Sequence, residues 1–172
     1  DPYSASKACA EILTDSYVKS FFSGSNSTKN NVGIATARAG NVIGGGDWGE
    51  NRLVPDLARA LKSGETVQIR SPLATRPWQF ILDILHGYLT LAERLYLDGK
   101  AFSGPWNFGP NLGIRHTVED MVTRFCQGVD IRYSFIENEN QMFNEKRLLS
   151  IDNIKAREKL GWQPHSLLEH SI

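Results

Sequence analysis

Val32-Gly33-Ile34-Ala35-Thr36-Ala37-Arg38-Ala39-Gly40-Asn41-Val42-Ile43-Gly44-Gly45-Gly46-Asp47-Trp48 is the stretch on which the fold turns. Residues 32–38 form a short apolar run of the kind that suits a buried strand in a parallel sheet. Residues 39–48 hold four glycines and are too glycine-rich for a regular element, so they read as the loop at the strand's exit. Upstream, Asp1 and Pro2 read as an N-cap and a first-turn proline, and residues 3–22 carry a helical stripe through Ala8, Ile12, Tyr17 and Phe21. The polar stretch 23–31, SGSNSTKNN, joins that helix to the strand as a surface loop. A helix feeding such a strand is half of a βαβ unit, which makes the class α/β.

Downstream, residues 53–61 read as a short helix ended by Ser63-Gly64, and residues 66–70 as a strand. An extended segment broken by Pro77 covers residues 76–81. A long helix follows over residues 83–97, with apolar positions at Leu85, Leu89, Ala92 and Leu95 or Tyr96. Residues 104–109, GPWNFG, read as a strand and turn, and residues 117–126 as a helix capped by Thr117 with Asp120 in the capping-box position. A strand over 131–136 and a helix over 152–160 closed by Gly161 complete the pattern.

The 172 residues are 41% hydrophobic and 22% charged, ordinary for a globular domain with a real core. Lys plus Arg and Asp plus Glu balance at 19 each, so no basic field attracts nucleic acid or an anionic membrane surface. No apolar run approaches the roughly 20 residues of a membrane span, and a cytoplasmic location is the expectation. Cys9 and Cys126 lie in unrelated contexts, and His86, His116, His165 and His170 show no ligand spacing, so no metal site is expected.

Tyr3 and Lys7 stand four apart on one helix face, where the ammonium approaches the phenol. A tyrosine titrates near pH ~10 and a nearby cation favours its phenolate, so the pair suits proton abstraction from an alcohol. The surrounding Asp1-Pro2-Tyr3-Ser4-Ala5-Ser6-Lys7, followed by Ala10-Glu11, resembles the YxxxK active-site helix of extended short-chain dehydrogenases/reductases, in the PYxxSK form of sugar-nucleotide enzymes. Residues 38–56, with Asn41-Val42-Ile43-Gly44 and GGGDW, resemble the RxxNVxGP segment of the same family, in the version of the CDP-glucose 4,6-dehydratases. Residues 70–83, with Arg76-Pro77-Trp78-Gln79, are similar to their RPWQHVLE segment, with Phe80 in place of histidine and Asp83 in place of glutamate. WNFGPN at 106–111 and LGWQP at 160–164 are similar to later turns whose Trp and Pro are mainly structural.

The resemblance implies the C-terminal part of a Rossmann-type doubly wound parallel sheet, its N-terminal dinucleotide-binding strands missing, joined to a smaller mixed α/β substrate-binding domain. Residues 1–50 would be the Rossmann remnant and residues 51–172 mainly the substrate domain, some segments returning to the sheet. None of the 15 glycines opens a helix at the head of a βαβ unit as GxGxxG does. Gly44-Gly45-Gly46 is no substitute, because no long helix begins there. The chain is therefore expected to be a truncated piece, inactive and weak in NAD binding by itself.

In the family, Tyr3 is the acid/base and Lys7 the ligand of the nicotinamide ribose, with Arg38 beside the cofactor. Asn41, Leu53, Val54, Gln68, Arg76, Asn111, Glu145 and Arg147 fall on the side of the nucleotide-sugar substrate. Arg76 is the natural diphosphate clamp, since a guanidinium offers a planar fork of donors, and Arg70 is the alternative. The activity implied is NAD-dependent 4,6-dehydration of CDP-glucose in deoxysugar biosynthesis, by a homodimer. A dTDP-glucose 4,6-dehydratase or a nucleotide-sugar 4-epimerase shares Tyr3, Lys7, Asn41 and Arg76, and a non-catalytic nucleotide-sugar-binding member keeps the fold.

Overall fold

The computed structural model describes residues 1–22, 32–111, 113–136 and 147–166. Helix α1 (Pro2–Tyr17) begins where its cap predicts: the Asp1 carboxylate accepts the Ser4 N–H at 2.8 Å, and Pro2 occupies the first turn. The helix loosens into a π turn over Val18–Phe22. The loop expected over residues 23–31 lies outside the described residues.

Strands β1 (Ala35–Ala39) and β2 (Asn41–Ile43) follow, separated only by Gly40. Then come α2 (Leu53–Ser63), β3 (Val67–Arg70), β4 (Thr75–Arg76), β5 (Trp78–Phe80) and α3 (Ile81–Asp98), which ends in a 3-10 turn over Gly99–Phe102. The remainder is β6 (Gly104–Phe108), β7 (His116–Thr117), α4 (Val118–Phe125), β8 (Tyr133–Ile136) and α5 (Ile154–Leu160).

Among the described residues, β1 pairs with β6, β2 with β5 and β3 with β8, all parallel, while β4 and β7 are antiparallel. Parallel neighbours need long crossovers, and α2 and α3 lie within those connections. Gly64 and Gly161 close α2 and α5 in the left-handed conformation. Thr117 and Asp120 form the reciprocal capping box of α4.

Buried apolar residues gather in two clusters. One joins Leu57 and Ala60 of α2 to Ile69 of β3, Ala74, Ile131, and Val118 and Val122 of α4. The other joins Ile84 and Leu91 of α3 to Trp106 and Phe108 of β6, Ala156 of α5, and Trp162.

Three expectations are corrected. The segment 39–48 is not wholly a loop, because Asn41–Ile43 pairs with Trp78–Phe80 as β2. The strand run survives Gly40 by changing partner there, from β6 to β5. On α3, the face marked by Leu85, Leu89 and Tyr96 is exposed, and Ile84, Gly87 and Leu91 are buried. Close packing selects that side: a Cβ at Gly87 would lie 2.5 Å from the Phe108 ring, so the helix approaches β6 where it has no side chain. The apolar stripe of α1 is likewise outward, with Ile12, Tyr17 and Phe21 all more than half exposed. No described helix is long and apolar enough to cross a membrane.

Candidate active site

Gly40 and strand β2, the N-terminus of α2 and strand β3 border a cavity of about 680 Å³. Tyr3 reaches it from the first turn of α1. Glu11, two turns on, anchors that helix to β1 by accepting the Thr36 hydroxyl at 2.8 Å and the Arg38 guanidinium at 3.0 Å. Lys7 lies beside Tyr3, its Nζ 5.5 Å from the centre of the phenol ring.

Asn41 enters from β2 and Gln68 from β3, and Leu53 and Val54 come from the first turn of α2. Arg76 and Arg70 also line the cavity. Arg76 donates to the carbonyl of Thr75 at 2.8 Å.

The structure therefore brings Tyr3, Asn41, Leu53, Val54, Gln68 and Arg76 around one space. It does not place Lys7, Arg38, Asn111 or Arg147 on that wall. Lys7 is next to it through Tyr3, and Arg38 is engaged by Glu11. Asn111 sits in the turn after β6, and Arg147 lends its carbonyl to the Thr75 N–H at 2.8 Å, one residue from Arg76. Glu145 and His170 lie outside the described residues.

Sequence reasoning missed a charged rim. Asp47 pairs with Arg52 at 3.0 Å, and both line the cavity. The Asp47 carboxylate also accepts the Gly49 N–H at 3.0 Å; that bond first, and Arg52 next, hold it below the usual carboxylate range. Arg59 on α2 donates to the carbonyls of Trp48 at 3.0 Å and Gly49 at 3.1 Å and pairs with Asp56. Its ties to the loop are to backbone carbonyls, so no side-chain pattern announces them. The glycine-rich loop is thereby pinned along α2 while Trp48 remains exposed.

Chemically, a phenol faces the same volume as Arg52, Arg70 and Arg76 and the amide of Asn41. That arrangement suits a ligand with an anionic section and an alcohol within reach of Tyr3.

The profile described as "Epimerase: NAD dependent epimerase/dehydratase family" matches residues 1–103. The chain belongs to the NAD dependent epimerase/dehydratase family. Within that family it is 44% identical over 166 residues to a CDP-glucose 4,6-dehydratase of Salmonella typhimurium, covering 95% of this chain and 46% of the relative. The chain thus spans less than half the length of that curated relative. Among solved structures, a UDP-glucose-4-epimerase of Stenotrophomonas maltophila with bound NAD and formylated UDP-arabinopyranose superposes with a TM-score of 0.79 at 18% identity, over 99% of this chain and 52% of that one. A dTDP-glucose 4,6-dehydratase of Bacillus anthracis in complex with NAD gives 0.74 at 18% identity, over 99% and 49%. The α/β fold with parallel strand pairs, expected from the sequence, is the fold these epimerase/dehydratase structures share.

Proposed function

We propose that this chain supplies the acid/base tyrosine and the sugar-nucleotide cavity of an NAD-dependent CDP-glucose 4,6-dehydratase. The observation that carries the proposal is the convergence of Tyr3, Asn41 and Arg76, from three separate segments, on one cavity. The 44% identity to the Salmonella typhimurium enzyme favours CDP-glucose over other nucleotide sugars.

In this proposal Tyr3, with Lys7 beside its ring, accepts the proton of the sugar C4 hydroxyl. Arg76, with Arg70 as the alternative, clamps the diphosphate, while Asn41 holds the diphosphate or the sugar. Leu53 and Val54 flank the nucleotide, and Gln68 offers an amide at its edge. A carbonyl at C4 makes the C5 proton acidic enough to leave, with water lost across C5 and C6. NAD, when bound, supplies the acceptor for the C4 hydride and the donor that returns it at C6. The donor set here fits only the nicotinamide end, through Lys7, with Arg38 near it. No described glycine turn opens a helix toward a pyrophosphate. Residues 1–50 are taken as belonging to the cofactor side and residues 51–172 mainly to the substrate side. The exposed face of α1, with Ile12, Tyr17 and Phe21, is taken as the contact of a homodimer.

Incubating the protein that carries this chain with CDP-glucose and NAD should yield a 4-keto-6-deoxy product, seen by its absorbance in alkali. Replacing Tyr3 by Phe should lower turnover by about 100-fold or more with little change in substrate affinity. Turnover of dTDP-glucose or UDP-glucose in preference to CDP-glucose would overturn the assignment, and unchanged turnover in Tyr3→Phe would overturn the role of Tyr3.

A further inference from the structure

Gly40 is the residue at which the strand run changes partner, β1 lying against β6 and β2 against β5. The backbone N–H at such a switch has no ladder acceptor, and burial makes an unpaired amide costly. Here the acceptor is a side chain: Oε1 of Gln79, 3.1 Å from the Gly40 nitrogen. Gln79 stands opposite Val42 in β5 and is only 4% exposed. The other face of the turn is held by Pro77, whose carbonyl accepts the Asn41 N–H at 3.0 Å. A Cβ at Gly40 would lie 2.3 Å from that same carbonyl oxygen. Pro77 and Gln79 therefore grip the Gly40–Asn41 peptide from neighbouring positions, and both Gly40 and Asn41 line the cavity.

The Gln79 amide is an odd choice for packing alone. Its Nε2 is buried with no hydrogen-bond partner among the described residues. A leucine or methionine would fill the same space without an orphaned donor, so the retained group is the oxygen that meets Gly40. The geometry points to Gln79 as a positioning residue that acts through Gly40 to aim Asn41 into the cavity. This inference rests on the proposed dehydratase function for the identity of the ligand, but not for the contact itself.

Gln79→Leu and Gln79→Glu separate the possibilities in the protein that carries this chain. The leucine variant loses the acceptor for Gly40 and also the orphaned amide, so its melting temperature should stay within about 4 °C of the unaltered protein. The Gly40 amide hydrogen should then exchange at least about tenfold faster. By calorimetry, CDP-glucose should bind roughly tenfold more weakly while cytidine monophosphate, which lacks the glucose and the second phosphate, is little affected. Gln79→Glu keeps an acceptor oxygen at the same reach and should restore both Gly40 protection and the preference for CDP-glucose. Unchanged Gly40 exchange in Gln79→Leu, or equal weakening of both nucleotides, would overturn the inference. If the unaltered protein binds no CDP-glucose, the functional proposal fails, and Gly40 exchange alone decides whether Gln79 positions this turn.

Discussion

At the scale of single residues, Arg76 is the most exacting element of the proposed site. Its guanidinium is oriented by the Thr75 carbonyl, and a planar fork matches two phosphate oxygens where an ammonium matches one point. Arg76→Lys should therefore weaken CDP-glucose binding by about tenfold, and Arg76→Ala by about 100-fold, with Tyr3 chemistry on bound substrate changed less. A titration giving Arg76→Lys the same affinity as the unaltered protein would remove the clamp from this residue. That Arg76, Asn41 and Tyr3 line one cavity was legible in the sequence, because each sits in a short motif with a chemical reason for its residue type. Asp47, Arg52 and Arg59 were not. Their partners include a loop N–H and loop carbonyls, and such contacts follow the path of the chain and leave no spacing to read. The glycines at 44, 46 and 49 show the converse hazard: they satisfy GxGxxG by count, yet α2 begins only at Leu53, too late for a phosphate cradle of that kind.

At the scale of elements, caps were read well and faces were not. Caps are local: Asp1, Thr117 with Asp120, Gly64 and Gly161 each act within one turn of where they stand in sequence. The buried face of α3 depends on Phe108 and Trp162, which are distant in sequence, and an apolar stripe cannot say which partner arrives. The capping box of α4 gives a clean test. Thr117→Ala removes the acceptor of the Asp120 N–H and should cost about 1 kcal/mol, measurable by urea denaturation. The Asp120 carboxyl is held below its ordinary value chiefly by the Thr117 N–H, then by the Thr117 hydroxyl. A carboxyl lowered in the folded state stabilises above its unfolded value, near pH ~3.9, and that contribution disappears as pH falls through the folded value. In Asp120→Asn the acid-limb loss of stability should be shallower than in the unaltered protein, and an identical limb would show that this carboxyl carries none of it.

At the scale of the whole molecule, the two buried clusters divide the labour between holding the cavity and holding the frame. Ile69 and Val118 line the cavity and belong to one buried cluster with Leu57, whereas Trp162 closes the other cluster around α3, β6 and α5. Trp162 is 1% exposed, meets the Phe108 ring edge-on at 4.9 Å between centroids, and donates its indole N–H to the Asp83 carbonyl at 3.0 Å. The Asp83 carboxylate in turn accepts the N–H groups of His165 and Ser166, so the segment after α5 is fastened to the start of α3 through this one neighbourhood. Trp48, 69% exposed and next in sequence to the cavity-lining Asp47, has the same side chain and none of this burial. Truncating a fully buried tryptophan costs about 3–5 kcal/mol, so Trp162→Ala in a chain of this size should lower the melting temperature by roughly 6–20 °C. Trp48→Ala should leave it within about 2 °C, since surface substitutions stay near ±0.5 kcal/mol. Differential scanning calorimetry on the pair distinguishes frame from rim: comparable losses in both variants would mean that the rim loop is part of the core and that the division between clusters is wrong.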